Sequence, residues 1–445
     1  MKPSLMVVCL LMAPAYAVAQ DHGAAPEPYR LAAPVKNLAT LFTDLFGPHG
    51  LIVDSEATLP GEQSHSAHFN SDFQSNFGKF STALVSQFVT LPLPSPAAGF
   101  TFQLDPTLGV FERTTRSFGP ILAERAETIG AKRVSFGFAS QRFTFDTVEG
   151  LDLNKIPSVF THDNAELLGG RQDVVTTESS IQATVNQFTT FFTMGITDRL
   201  DVSVAVPFIS NSLTVVSDAT VQRLGTTNPL THFFRQSDGS VGNARTFTAV
   251  GSASGLGDVT VRLKTTVEKK ADRGLALGLD VRLPTGDQMN LLGTGTAGLT
   301  PFAAYSTTWQ SFAPHVNVSY QWNGSSILAG NPATGESADF PDSVGYAVGT
   351  EVSANRRVTL AFDVIGRYVI NAERLSPQTF HALDGKSTFP NIAFSSDSFN
   401  MVSGAVGFKV NAFQRLLLDA NVLFALDHNG VRDRITPLVG FEYSF

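Results

Sequence analysis

The chain ends in the stretch Ile435-Thr-Pro-Leu-Val-Gly-Phe-Glu-Tyr-Ser-Phe445. Large apolar side chains alternate here with residues that are mostly small or polar. A period of two is typical of a β-strand with one face in an apolar medium and the other in a polar one. Because the terminal carboxylate of Phe445 needs water, this residue fits the interfacial aromatic girdle of a membrane barrel better than a strand of a soluble sandwich.

The same alternation recurs along the chain. It is clearest at 200–208, 259–267, 275–283, 312–322, 358–368 and 416–426. The alternating runs are about 9–13 residues long, enough to cross a bilayer at a tilt, whereas strands of soluble proteins average about 5–6. Since every backbone polar group in lipid must be paired within the protein, such strands have to close into a cylinder.

The pattern predicts an all-β, transmembrane, antiparallel up-and-down β-barrel of about fourteen strands, with twelve or sixteen also compatible. The predicted strands lie near 80–90, 98–112, 131–147, 174–193, 198–216, 255–268, 272–284, 298–309, 312–322, 342–352, 357–370, 397–410, 415–427 and 431–445. Within 131–147, Phe136 and Phe138 fall on one parity and Phe143 and Phe145 on the other. This change of parity indicates a β-bulge.

Composition excludes several classes of protein. Only 16% of residues are charged and the mean hydropathy is +0.06, values that fine alternation of polar and apolar residues explains. The formal net charge of −8, without a basic block, gives no electrostatic reason to bind nucleic acid. The single cysteine, Cys9, lies in the predicted leader. A mature chain without cysteine forms no disulfide or zinc–cysteine site, and we predict no cofactor and no metal.

The N-terminus predicts export. Lys2, the apolar run 5–12 and the small-x-small triplet Ala17-Val-Ala19 form a signal peptide over residues 1–19. After it, no apolar run is long enough for a spanning helix. Residues 20–78 are expected to be an irregular or partly helical lead-in or a plug inside the lumen, and residues 79–445 the barrel. Within the lead-in, residues 36–46 predict a helix with Leu38, Leu41, Phe42 and Leu45 on one face.

Short and long connections alternate, as in outer-membrane barrels with short periplasmic turns and long external loops. The long ones are expected at 149–173, 217–254, 285–297, 323–341 and 371–397. Gly293-Thr-Gly-Thr-Ala-Gly298 matches G-x-G-x-x-G, but it precedes a predicted strand rather than a helix, so a flexible loop fits better than a nucleotide site. His65 and His68 lack a third ligand, which favours a polar loop over a metal site.

Charged residues of both signs fall on the polar parity of the strands and predict a charged lumen. They are Asp258, Arg262, Lys264, Asp280, Arg282, Glu351, Asp363, Arg367 and Asp419, with His315 on the same face. Two interpretations stay open: an ion-paired interior that fills and stiffens the barrel, or a wet passage whose charges filter solutes. The C-terminal aromatic residues Phe441, Tyr443 and Phe445 resemble the recognition signal for assembly of outer-membrane barrels.

Three stretches resemble a family of outer-membrane proteins associated with the meta-pathway of phenol degradation. They are Phe118-Gly-Pro-Ile-Leu-Ala-Glu-Arg-Ala-Glu-Thr-Ile-Gly130 with Val134-Ser-Phe-Gly-Phe138, Gly255-Leu-Gly-Asp-Val-Thr-Val-Arg-Leu-Lys264, and Arg282-Leu-Pro-Thr-Gly-Asp287 with Asn290-Leu-Leu-Gly-Thr-Gly295. The resemblance implies a barrel associated with aromatic breakdown, with uptake of hydrophobic compounds like that of long-chain fatty-acid channels. It implies no binding residues.

We therefore expect an outer-membrane channel for passive passage of small hydrophobic or aromatic compounds, and not an enzyme. The expected partners are outer-membrane lipid and lipopolysaccharide, the secretion and barrel-assembly machinery, and small solutes. One alternative is a non-conducting structural or adhesive barrel that works through the loops 217–254 and 371–397. Another is a lipid hydrolase that uses a serine near His315, although no nucleophile-elbow sequence accompanies it.

Overall fold

Twelve antiparallel strands close into a barrel, because each strand pairs with its neighbour in the chain and the last pairs with the first. The computed structural model describes residues 37–47, 50–56, 77–95, 102–105, 110–113, 117–161, 172–236, 238–413 and 415–445. The barrel strands are β1 (Val134–Thr144), β2 (Val174–Thr197), β3 (Leu200–Gln222), β4 (Thr260–Lys269), β5 (Arg273–Arg282), β6 (Gly298–Thr307), β7 (Phe312–Asn323), β8 (Ser343–Ser353), β9 (Val358–His381), β10 (Thr388–Phe413), β11 (Leu416–Ala425) and β12 (Ile435–Ser444).

The predicted all-β barrel is thus confirmed, with the smaller of the compatible strand numbers. Two further strands bring the sheet to fourteen without entering the closed ring. Ile156–Thr161 pairs with the far end of β2, and Ala244–Leu256 pairs with the far end of β3. Both lie where the sequence predicted long loops. The predicted loop 371–397 is also largely a hairpin, since β9 and β10 stay paired as far as His381 and Thr388.

The predicted strand near 80–90 is wrong, because this segment is helical. Helix α1 spans Leu41–Asp44, directly after a 3₁₀ turn at Leu38–Thr40, and helix α2 spans Phe77–Phe88. In α2 the buried residues Phe80, Leu84 and Phe88 recur every four positions, which places them on one helical face. The segment 98–112 contributes Phe102–Asp105 and Val110–Arg113, which form a separate two-stranded sheet.

Further short elements decorate the connections between barrel strands. They are the strands Thr147–Val148, Leu151–Asp152, Phe234–Arg235, Val241–Gly242, Ser325–Asn331, Glu336–Asp339 and Val431–Arg432, and the 3₁₀ turn Gln288–Asn290. They lie at the end of the barrel that carries the long hairpins, which we call the long-hairpin end. The opposite, short-turn end carries the tight connections that join β2 to β3, β4 to β5, β6 to β7, β8 to β9 and β10 to β11. Among the described residues, no helix is both long and apolar enough to cross a membrane.

The predicted bulge in 131–147 is wrong, since β1 keeps one register with both neighbours along its paired length. Phe136 points outward, whereas Phe143 points inward and is buried. An apolar side chain is stable there because the lumen at the long-hairpin end is filled by helices rather than by water. Leu38, Leu41, Phe42, Leu45, Phe80, Leu84 and Phe88 pack in one buried cluster with Phe143, Ile181, Val185, Leu213 and Val215 of β1 to β3.

The outward face of the barrel is apolar. On β7, the alternating residues Val316, Val318, Tyr320 and Trp322 are each exposed by 42% or more. The residues between them face inward: His315 is buried and Asn317 contacts the interior of the barrel. Exposing so many large apolar side chains to water would be unfavourable, whereas a lipid environment accommodates them.

Candidate functional site

Residues 117–130 run across the inside of the barrel near its short-turn end, and we call them the crossing segment. Backbone N–H groups of Phe118, Ala126 and Ile129 donate to Thr359 Oγ1 at 3.1 Å, Ser306 Oγ at 2.9 Å and Asp201 Oδ2 at 2.9 Å. Because these acceptors belong to β9, β6 and β3, the segment is tied to widely separated parts of the wall. Where it meets the wall, a Cβ on Gly195 would lie only 1.8 Å from the Gly130 carbonyl oxygen, so this approach requires glycine.

Glu124 anchors the middle of the crossing segment through a buried ion-pair network. Its carboxylate contacts Arg262 Nη1 and accepts from Lys264 Nζ at 2.8 Å. Arg262 also forms a bidentate pair with Asp280, with both N–O distances at 2.6 Å. The amide of Asn317 exchanges two hydrogen bonds of 2.6 Å with the backbone of Glu124. Each charge in this cluster therefore has an opposite charge within hydrogen-bonding distance.

Electrostatics keep Glu124 ionised in this buried position. Burial by itself raises the pKa of its carboxyl, but the charges of Lys264 and Arg262 outweigh burial and lower the pKa to about 2. The carboxylate therefore stays charged and holds the crossing segment to β4 at neutral pH.

A second buried cluster joins three strands beside the crossing segment. His315 on β7 lies with Nε2 2.7 Å from Asp363 Oδ1 of β9 and with Nδ1 3.5 Å from Glu351 Oε1 of β8. All three residues are at most 5% exposed. Ser117 of the crossing segment donates to Glu351 Oε2 at 3.4 Å. Both ring nitrogens of His315 thus face carboxylates, an arrangement that fixes the imidazole in place.

Asp258 and Arg282 lie together at the long-hairpin end. Asp258 accepts hydrogen bonds from the N–H of Gly286 at 3.0 Å and from the N–H and hydroxyl of Thr294 at 2.8 and 2.7 Å. Arg282 donates to Asn323 Oδ1 at 2.7 Å and lies 3.7 Å from Asp258. The G-x-G-x-x-G stretch at 293–298 is thus a loop bonded to Asp258, and it leads into β6 rather than into a helix.

Arg367 and Asp419 stand apart from these clusters. Arg367 donates from Nη1 to the Thr90 carbonyl oxygen at 2.8 Å, and its Nη2 lies 3.9 Å from Met401 Sδ. Asp419 on β11 is opposite Lys409 in the register with β10. Asp419 and Lys409 line a small cavity of about 40 Å³ beside the crossing segment.

A larger cavity, of about 470 Å³, lies inside the barrel between the N-terminal helices and the crossing segment. The chain after α2 lines one side of it, through residues 89–95, and Leu122 to Glu124 line another. Barrel residues complete the wall, among them Arg262, Asp280, Arg282 and Arg367. Pro94 and Ser95 line both this cavity and the smaller one, so they separate the two spaces.

Of the ten residues that parity predicts to line the lumen, nine lie on barrel strands, and Asp258 lies just before β4. The structure groups them as described above. Their role in lining a passage stays a prediction. Sequence reasoning missed Glu124, on which the largest cluster depends. This residue lies in the stretch 118–130 that carried the family resemblance, but no alternation marks it as inward-facing.

The C-terminal strand completes the closed ring. The ring of Phe441 lies 6.2 Å from that of Phe136 and 5.8 Å from that of Phe138, across the β12–β1 pair. Tyr443 and Phe445 are in edge contact at 4.8 Å, and the N–H of Phe445 donates to the Val134 carbonyl oxygen at 2.8 Å. The aromatic end therefore lies on the lipid side of the closing seam, and its use as an assembly signal stays a prediction.

A closed antiparallel barrel with an apolar outer face and with its own N-terminal part inside the lumen is an integral outer-membrane protein. The chain belongs to the family described as "Putative MetA-pathway of phenol degradation", whose model matches residues 164–429.

Two predictions lie outside the described part of the chain. They are the signal peptide over residues 1–19 and the polar loop with His65 and His68.

Solved outer-membrane barrels are similar in outline. The COG4313 outer membrane channel from Pseudomonas putida F1 is 13% identical, with a TM-score of 0.44 over 73% of this chain and 99% of that one. The CymD monoaromatic hydrocarbon channel is 9% identical, with a TM-score of 0.33 over 71% and 89%. The Ralstonia pickettii toluene transporter TbuX is 10% identical, with a TM-score of 0.31 over 71% and 90%. No curated protein sequence matches the chain.

Proposed function

We propose that the protein is an outer-membrane channel for passive passage of small hydrophobic or aromatic compounds. The observation that carries this proposal is the cavity of about 470 Å³ enclosed by the barrel. Its volume is that of an ordinary small-molecule site, at about 300–1,000 Å³. Its lining mixes aromatic side chains such as Phe88, Phe143 and Phe302 with charged ones, a mixture that suits an apolar solute with one polar group. Membership in a family named for phenol degradation favours aromatic solutes.

The route we propose runs from the large cavity past Pro94 and Ser95 into the small cavity beside Lys409 and Asp419. The two spaces share only this narrow piece of lining among the described residues. Passage then depends on displacement of 89–95 or of the crossing segment. The charged residues predicted to line the lumen act in this proposal as the polar walls of the route.

We propose that the described parts of the lead-in, 37–47, 50–56 and 77–78, together with the rest of α2, act as a plug at the long-hairpin end. Their buried contacts with β1 to β3 support this role. Lipopolysaccharide surrounds that end in the outer membrane, and the aromatic C-terminus is the proposed signal for the assembly machinery. We propose no catalytic role for His315, since its two nitrogens face Asp363 and Glu351.

One observation favours the alternative of a non-conducting structural barrel. The network around Glu124 ties the crossing segment to the wall with short ionic contacts, and a filled, ion-paired lumen stiffens a barrel without any passage. Solute flux distinguishes the two functions.

The test is flux of a panel of aromatic acids, aromatic alcohols and alkanes into vesicles whose outer leaflet is lipopolysaccharide, which slows unassisted passage. Thr300→Trp places an indole on an inward position that lines the large cavity. Leu299→Trp is the matched control on the adjacent, outward position, which is 39% exposed. We expect flux through the wild type and Leu299→Trp and strongly reduced flux through Thr300→Trp. Absence of flux for every solute through the wild type would establish the structural alternative.

A further inference from the structure

The large cavity carries four arginines in its described wall, and three of them face a carboxylate. Arg262 pairs with Asp280, Arg282 lies 3.7 Å from Asp258, and Arg432 contacts Asp427. These three charges are neutralised by the protein itself, so they need no counter-ion from a solute.

Arg367 is different, because it forms no ion pair with any described carboxylate. Its contacts are the Thr90 carbonyl oxygen at 2.8 Å and Met401 Sδ at 3.9 Å. Neither of these carries a negative charge. The guanidinium has five N–H donors, and these two contacts leave donors directed to the space around it. Arg367 therefore presents an uncompensated positive charge to the large cavity inside the barrel.

An uncompensated charge away from bulk water is unfavourable, and a solute anion would relieve it. A carboxylate suits a guanidinium best, because its two oxygens match the planar fork of N–H donors. Charge-assisted bonds of this kind are about twice as strong as neutral ones. The electrostatics at Arg367 thus favour an anionic group over a neutral polar one.

The same cavity offers an apolar surface for the rest of such a solute. Phe88 and Phe145 lie in contact, with ring centroids 4.8 Å apart, and both line the cavity with Phe143, Leu91 and Leu122. Thr90, which contacts Arg367, is only two residues from Phe88. The charged and the aromatic surfaces therefore adjoin through the same short segment after α2.

We infer that the cavity is a binding site for carboxylates with an apolar body, such as aromatic acids, and that Arg367 holds the carboxylate. This inference rests on the proposed function and specifies the class of solute that the channel takes. The other arginines of the wall, already paired, contribute shape and polarity rather than the anchoring charge.

The test is calorimetric titration of the full-length protein in detergent with benzoate and with benzyl alcohol, a neutral molecule of similar size. We expect Arg367→Gln to weaken benzoate binding about tenfold or more, because the charge-assisted pair with the carboxylate is lost. Affinity for benzyl alcohol should stay unchanged. Arg367→Lys should keep part of the benzoate affinity, because it restores the charge without the planar fork. The matched control is Arg356→Gln, at an exposed arginine in the β8–β9 turn, which should bind as the wild type does.

Equal affinity of the wild type and Arg367→Gln for benzoate would overturn the inference, as would equal affinity of the wild type for both compounds. If Arg367→Gln does not give the compact, heat-modifiable band of a folded barrel, Arg367→Lys decides, since the site predicts weaker benzoate binding than in the wild type. Failure here with normal flux of neutral aromatics leaves the channel intact and removes only the carboxylate site. Normal benzoate binding without flux of any solute removes the channel instead.

Discussion

The two ends of the lumen are filled in different ways by the same chain. At the long-hairpin end, α1 and α2 pack apolar side chains against inward-facing apolar residues such as Ile181 and Leu213. At the short-turn end, the crossing segment is held by ion pairs and by hydrogen bonds to wall side chains, with Glu124 at its centre. The large cavity lies between these two fillings. One barrel thus combines an apolar core like that of a soluble protein with a polar latch, the name used here for Glu124 and its ion pairs to Arg262 and Lys264. We expect each of the two to weaken independently of the other.

The largest effect is expected from Glu124→Ala, which breaks the latch. In this variant Arg262 keeps Asp280 as its carboxylate partner, whereas Lys264 loses the carboxylate that lies 2.8 Å from its Nζ. Removing one partner from a buried ionic cluster costs about 3–5 kcal/mol. Hydrogen exchange should therefore accelerate at the amides of Ala126 and Ile129, and single-channel conductance in planar bilayers should rise.

The control for this change is Glu127→Gln, on the same segment at a half-buried position. It should leave both exchange and conductance near the wild-type values. Unchanged protection of Ala126 in Glu124→Ala would show that the side-chain hydrogen bonds alone hold the segment.

Leu84→Ala tests the other end and should have the next largest effect. Leu84 is 0% exposed within the apolar cluster, and truncating a buried leucine costs about 2–5 kcal/mol. Exchange should accelerate in Leu38–Thr40 and Leu41–Asp44 while Ala126 keeps its protection. Faster exchange at both ends would contradict the independence of the two fillings, which should otherwise give additive effects in the double variant.

The difference between the two ends also explains how far the sequence predicts the molecule. Alternation locates the strands well where the lumen is polar, as for 415–427, observed as Leu416–Ala425. It suggested a bulge in β1 because it assumes a watery interior, whereas Phe143 faces a helix-filled one. Nothing local marks an inward apolar residue as different from an outward one.

The site was predictable in part for a related reason. Parity places Arg262 and Asp280 on neighbouring strands of one face, and they do pair. Parity cannot place Glu124 beside them, because a segment without regular structure carries no period from which its position follows. The contact of Arg367 with Thr90 was missed in the same way, since 80–90 was predicted as a strand of the wall rather than a helix inside it.

Acid should weaken the latch, and less completely than mutation does. The pKa of Glu124 in the folded protein is about 2, below its ordinary value of 4.5. Its stabilising contribution is therefore full above about pH 4.5 and is lost as the pH falls through about 2. The difference in conductance between the wild type and Glu124→Gln should stay constant from neutral pH to about 5 and shrink below that. A constant difference down to about pH 2 would contradict this assignment of charge.

The smallest effect is expected from removing an ion pair that lies at the short-turn end, like the latch, but outside the lumen. Lys270 Nζ in the β4–β5 turn lies 2.6 Å from Glu268 Oε1 at the end of β4, and the two side chains are 52% and 43% exposed. Water screens such a pair and competes for both of its charges. The pair therefore contributes little to stability, although its N–O distance is at least as short as that of the Lys264–Glu124 pair. Lys270→Ala should leave the denaturant midpoint, the exchange of Ala126 and the conductance unchanged. A loss comparable with that of Glu124→Ala would mean that the charge itself, rather than its burial inside the lumen, holds the short-turn end together.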